Sequence, residues 1–204
     1  MTQTSPIRPA TRDAIIEAAF RTWSADPAAS LEEIATLAGV GRATLHRHFA
    51  GREDLLEQLG LLARAEMEER ANAACIGATS HTDALRRIMA AMIALGDRHW
   101  FLARAFPPAG TGAAPEERRT EARFLSVIAE ATEEGTFHPD CPPTWIATSF
   151  DHLIHAAWGE VREGRLTHSQ AAGLAWSTLT RGLSGGLAGG LAGSAVRTQG
   201  PARP

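Results

Sequence analysis

Arg42 and His46 stand four residues apart, as do Ala43 and Arg47, so a helix over this stretch carries all four on one face. These side chains suit one kind of chemistry. An arginine donates two parallel hydrogen bonds to guanine O6 and N7, or one strong bond to a phosphate. An alanine beside it lets the helix approach a surface closely and can pack near a thymine methyl. A buried hairpin would not normally carry two arginines and a histidine on one face.

The elements that must hold this face are legible around it. Ser30 followed by Glu33 is a capping box, in which the hydroxyl accepts from an early helix N–H and the carboxylate reaches back. Leu31, Ile34, Ala35 and Ala38 then recur at helical spacing. Gly39 is placed to end that helix in the left-handed conformation. Leu45 and Phe49, at i and i+4, anchor a second helix inward, with Val40 in the angle between the two. Ala50-Gly51 breaks the chain, and Arg52-Glu53-Asp54 opens a further helix. Helix, tight turn and polar-faced helix make a helix-turn-helix, the motif that lays its second helix in the DNA major groove.

The segment 30–56 resembles the DNA-binding domain of the TetR family of bacterial repressors. It matches that pattern at Ser30, Leu31, Ile34, Ala35, Ala38, Gly39, Val40, Thr44, Leu45, His48, Phe49, Arg52 and Leu55 or Leu56. The helix before it, Thr11 to Ser24, fits with Ile16, Ala19, Phe20 and Trp23 inward. The departures are local. His46 stands where the family carries tyrosine, Gly41 where serine or threonine begins the recognition helix, and the loop 25–29 is about two residues short. The resemblance implies that Ser30, Thr44, Arg47, His48 and Arg52 contact phosphates of a double-stranded operator. The outward positions of Arg42, Ala43 and His46 assign them to base edges.

Composition sets bounds on the rest. The chain has 204 residues and a net charge of −3, and all of its 20 basic residues are arginine. Residues 1–52 carry six arginines against five acids, and the remainder fourteen against eighteen. A weakly basic head on an acidic body suits local DNA contact without strong non-specific binding. Helical periodicity dominates, so the fold class is all-α. No run of 18 apolar residues suggests a membrane span, and no signal peptide is visible at the N-terminus. Cys75 and Cys141 read as reduced thiols of a cytoplasmic protein.

Beyond the head, helices are expected from Gly51 to Cys75, Thr82 to Leu95, Asp97 to Ala105, Glu116 to Glu134, Pro143 to Glu163 and Thr167 to Leu183. A loop, Phe106 to Pro115, separates the third and fourth. This divides the chain into a DNA-binding unit over 1–52, a larger helical unit over 53–184 and a Gly/Ala-rich flexible tail over 185–204. The resemblance implies that the last two helices form a homodimer interface and that the larger unit takes a small effector. Met89, Met92, Trp100, Phe101, Phe124 and Trp158 are the candidate lining, and they suit an uncharged or weakly polar hydrophobic molecule, while Asp97 and Asp151 keep a cation open.

Enzyme constellations are missing from the sequence: there is no G-x-S-x-G, C-x-x-C, H-E-x-x-H or phosphate-binding glycine loop. Asp151, His152 and His155 lack a third well-spaced metal ligand, and neither metal nor cofactor is expected. The leading expectation is a ligand-responsive dimeric repressor of an inverted-repeat operator. A regulator without a small-molecule effector, or a helical binding protein that has lost DNA function, remain the alternatives. Mobility shift and ligand-induced thermal shift separate them.

Overall fold

In the computed structural model the capping box at Ser30 forms as the spacing predicts. The Ser30 backbone N–H donates to Glu33 Oε2 at 2.7 Å, and Glu33 N–H donates to Ser30 Oγ at 3.3 Å. Gly39 adopts φ 69°, and the turn closes by Gly39 N–H to Thr36 O and Val40 N–H to Ala35 O. That pair of bonds is a Schellman motif, and only a residue without Cβ adopts its left-handed position at little cost.

The structure describes residues 11–96, 99–101 and 115–183. Its helices are α1 Thr11–Ala25, α2 Leu31–Leu37, α3 Arg42–His48, α4 Arg52–Cys75, α5 His81–Ala94, α6 Pro115–Glu133, α7 Pro143–Arg162 and α8 His168–Leu183. Residues His99, Trp100 and Phe101 are also helical. Every regular element among the described residues is helical, and the bounds of the eight helices above fall within one or two residues of those the sequence predicts, whereas both ends of the helix expected from Asp97 to Ala105 lie outside the described residues. The loop containing Phe106 and the tail from 185 lie outside the described residues. No described helix is long and apolar enough to cross a membrane.

Two cores form. The N-terminal core packs Ile15, Ala19, Phe20 and Trp23 of α1 against Ile34 of α2, Leu45 of α3, Phe49, and Leu55, Leu59 and Ala63 of α4. The C-terminal core joins Leu85, Met89, Met92 and Ile93 of α5 to Ile128 of α6, to Ile146, Phe150, Ile154 and Trp158 of α7, and to Ala171, Ala175 and Leu179 of α8. Helix α4 therefore belongs to both parts: its first half completes the head, and its later residues Met67, Ala71 and Ala74 pack on the body.

The start of α5 is capped from outside itself. Glu134, just past α6, accepts from the backbone N–H groups of His81 (2.8 Å) and Thr82 (2.9 Å) and from the Thr82 hydroxyl (2.7 Å). The Thr82 hydroxyl, then these N–H groups, hold the Glu134 carboxyl down at about 2. A depressed acid stabilises the fold above its unfolded pKa, near 4.5, and that contribution is lost as pH falls through the folded value. The melting temperature of Glu134→Gln is therefore expected to fall below wild type at pH 7, with the gap closing between about pH 4.5 and pH 2. A gap that stayed constant over that range would remove Glu134 from this role.

Candidate nucleic-acid interface

Helix α3 is short and gains little from its own start, because Gly41 offers no side-chain cap. Packing holds it instead. Leu45 and Phe49 are fully buried in the head core and fix the roll of α3. With those two inward, Arg42, Ala43, His46, Arg47 and His48 are exposed and Thr44 is half-buried. The Arg47 guanidinium donates to Thr44 Oγ1 at 3.0 Å, which lays it along the helix. Arg42 and His46 make no hydrogen bond or ion pair with a described residue, so their donors face outward.

Ser30 is exposed at the start of α2, but its hydroxyl also donates to Glu33 Oε2 at 2.8 Å and is committed to the cap. Arg52 differs more from its expected place. Its guanidinium lies 4.5 Å over the Trp23 ring and donates to Ala29 O at 2.7 Å and to Pro27 O. The Trp23 indole N–H donates to the same Ala29 carbonyl at 3.0 Å. Trp23 and Arg52 thus grip the loop residue immediately before the cap of α2. Arg12 supports the other side, 5.5 Å over the Phe49 ring and donating to Gln58 Oε1 at 2.8 Å.

The head and body meet through contacts that the sequence reading missed. Phe101, expected in a ligand pocket, packs instead in the head core, edge-on to Phe20 at 6.1 Å and tilted to Trp23 at 6.3 Å. His99 is buried with its Nε2 3.1 Å from Glu66 Oε2, and its ring lies 5.8 Å from Phe20. From the far end of α7, Arg162 donates to Ser24 O of α1 at 2.9 Å. No local pattern marks these residues, because each reaches an element remote in sequence.

The six expected lining residues do not converge on one site. Met89 and Met92 are buried in the body core, and half-buried Phe124 packs edge-on to Phe150 at 5.1 Å. Trp100 and Trp158 do share a site. They line a cavity of about 230 Å³ with Ile93, Gly96, Val161 and Arg162. The Trp158 indole N–H donates to Met92 O at 3.0 Å, which fixes that ring.

The histidines of α7 turn back on their own helix. His152 Nδ1 lies 2.7 Å from Thr148 O, and His155 Nδ1 lies 2.9 Å from Asp151 O and 3.4 Å from Asp151 Oδ2. The Asp151 side chain raises the His155 pKa above its ordinary value, against the opposing effect of burial. Among the described residues no three His, Cys, Asp or Glu side chains gather to hold a metal.

Comparison with known proteins agrees with this geometry. Residues 15–59 match the family described as bacterial regulatory proteins, tetR family, a span that covers the helix-turn-helix and the start of α4. The HTH-type transcriptional repressor LfrR of Mycolicibacterium smegmatis is 31% identical over 188 residues, covering 88% of this chain and 93% of that protein. A crystal structure of LfrR from Mycobacterium smegmatis in complex with proflavine is similar with a TM-score of 0.66 and 28% identity, over 85% of this chain and 96% of that one. The ketosteroid regulator KstR2 of Mycobacterium tuberculosis, at 16% identity, shares the fold with a TM-score of 0.65 over 90% of this chain and all of its own. The protein belongs to the TetR family and is a transcriptional regulator with a DNA-binding helix-turn-helix.

Proposed function

We propose that the protein is a dimeric, ligand-responsive repressor that binds an inverted-repeat operator and releases it when a small hydrophobic effector binds the body. The observation that carries this reading is the outer face of α3, where Arg42, Ala43, His46 and Arg47 are exposed above the buried anchors Leu45 and Phe49. LfrR, named as a repressor and solved with proflavine, supports both halves of it.

In this reading residues 1–52 carry the DNA contacts and 53–184 the effector and dimer surfaces, in the cytoplasm. Arg42 and His46 read base edges, with Ala43 near a thymine methyl. Thr44, Arg47 and His48 hold phosphates, and Ser30 adds the exposed start of α2. Arg52 acts on the protein itself, bracing the loop before α2. The dimer face lies on the exposed sides of α7 and α8, which present Trp145, Ala156 and Leu174. Ala171 and Ala175 are buried against their own chain and do not belong to that face. Two recognition helices related by a two-fold axis require an inverted repeat.

The test is a mobility shift with the chain's own upstream intergenic DNA, alongside light scattering for the dimer. Arg42→Ala is expected to cost about 1–3 kcal/mol on the preferred sequence and to relax preference at one base pair per half-site. Equal weakening on every sequence would make Arg42 a phosphate contact. Failure of the wild type to bind any such DNA as a dimer would overturn the reading.

A further inference from the structure

We infer that the cavity shared by Trp100 and Trp158 is a binding site for a small single-ring aromatic carboxylate, and that Arg162 is both its anion contact and the switch it operates. The inference rests on the effector reading above and gives that effector a chemical class.

The walls select the ring. Trp100 and Trp158 supply two indoles, with Ile93 and Val161 beside them and the bare backbone of Gly96 in the wall. Because the Trp158 N–H is already bonded to Met92 O, that indole offers its aromatic surface rather than a donor. Flat rings pack on such surfaces in offset or edge-on geometry. At about 230 Å³ the cavity is smaller than the pockets of about 300–1,000 Å³ that hold drug-sized ligands, so one ring is the natural occupant.

Arg162 selects the charge. It is the one charged residue on the cavity among the described residues. No described carboxylate pairs with it. Arg165, three residues on, is instead held by Glu160 at 2.7 Å and Glu163 at 3.7 Å. The Arg162 guanidinium spends its Nη1 donor on the neutral Ser24 carbonyl, a weaker acceptor than a carboxylate, and a carboxylate bound across the two terminal nitrogens must take that same donor. A carboxylate accepts from such a fork through two oxygens, and a bond charged on both sides is roughly twice as strong as a neutral one. A cation in the same place would be repelled. The carboxylate departs from the uncharged effector that the sequence suggested, because Arg162 reaches this cavity only in the folded chain.

The same bond gives the site an output. A ligand carboxylate competes with Ser24 O for Arg162, so it binds more tightly to the state in which α7 has released α1. Ser24 adjoins Trp23, which with Arg52 grips Ala29 at the start of α2. Loss of the Arg162 bond therefore loosens the support of the recognition helix, and operator DNA must in turn weaken ligand binding by the same factor.

Benzoate, benzamide and benzylamine have nearly the same size and differ in charge. Tryptophan fluorescence titrations of the full-length dimer are expected to rank benzoate at least tenfold tighter than benzylamine, with benzamide between. Saturating benzoate is expected to weaken operator binding at least tenfold in a mobility shift. Arg162→Met is expected to lose the preference between benzoate and benzylamine and to bind operator equally with and without benzoate, while its melting curve shows a folded chain. Val161→Phe, which fills the cavity and leaves Arg162 in place, is expected to lose benzoate binding. The proposal is overturned if wild type does not prefer benzoate, or if Arg162→Met keeps the preference. If another apolar compound releases the operator from wild type and Arg162→Met alike, this site falls and the effector reading stands. If no compound releases it, both fall.

Discussion

Trp23→Ala is expected to cost about 3–5 kcal/mol of stability in the head and to abolish operator binding at 37 °C. Three losses coincide there. The indole is fully buried between α1, the α2 start and Phe101, so its removal leaves a large cavity. Ala29 O loses the indole N–H, one of its two side-chain donors. Arg52 loses the ring on which its guanidinium rests. Against a typical total of about 5–15 kcal/mol, that is enough to unfold a small unit. Trp23→Phe is the milder change: it keeps an aromatic surface under Arg52 but removes the indole N–H together with one ring's volume. Its cost should be about 1–3 kcal/mol, from a smaller cavity than alanine leaves and one lost hydrogen bond, while Arg52 still serves the Ala29 carbonyl. Chemical denaturation followed by circular dichroism reads both. Arg52→Ala adds a check on mechanism. A phosphate contact would reduce the slope of log affinity against log salt by about 0.9. A brace lowers affinity and leaves the slope in place, which is the outcome expected here.

Gly96→Ala is the second large effect, and its cause is space rather than backbone conformation. A Cβ at residue 96 would lie 2.1 Å from Trp158 Cδ1, 2.6 Å from Nε1 and 2.7 Å from Cγ. The ring cannot yield cheaply, since Trp158 is buried and its N–H is held by Met92 O. Overpacking of this kind costs about 1–3 kcal/mol, occasionally more. If the indole swings away instead, it gives up its hydrogen bond to Met92 O, at about 0.5–1.5 kcal/mol, while Leu95 N–H still serves that carbonyl. The melting temperature of Gly96→Ala should fall accordingly. Combining it with Trp158→Leu should cost less than the two changes summed, because the smaller side chain relieves the clash. Strict additivity would show that the two residues do not meet.

The head was legible in the sequence because its signals are local. The Ser30–Glu33 box, the left-handed Gly39 and the Leu45–Phe49 anchors act within four residues of themselves or through simple helical periodicity, so spacing alone places α2, the turn and the outward face of α3. Helix bounds in the body followed for the same reason. The destinations of single side chains did not. Arg52 carries the residue type of a phosphate clamp, yet it bonds to a carbonyl 23 positions away. Arg162 bonds to one 138 positions away. Phe101 and Trp100 are neighbours in sequence, but one enters the head core and the other lines the body cavity. A long side chain on an amphipathic helix has several apolar or polar surfaces within reach. Which of them it meets is set by how α1, α4 and α7 pack together, and that is a property of the tertiary structure rather than of any local pattern.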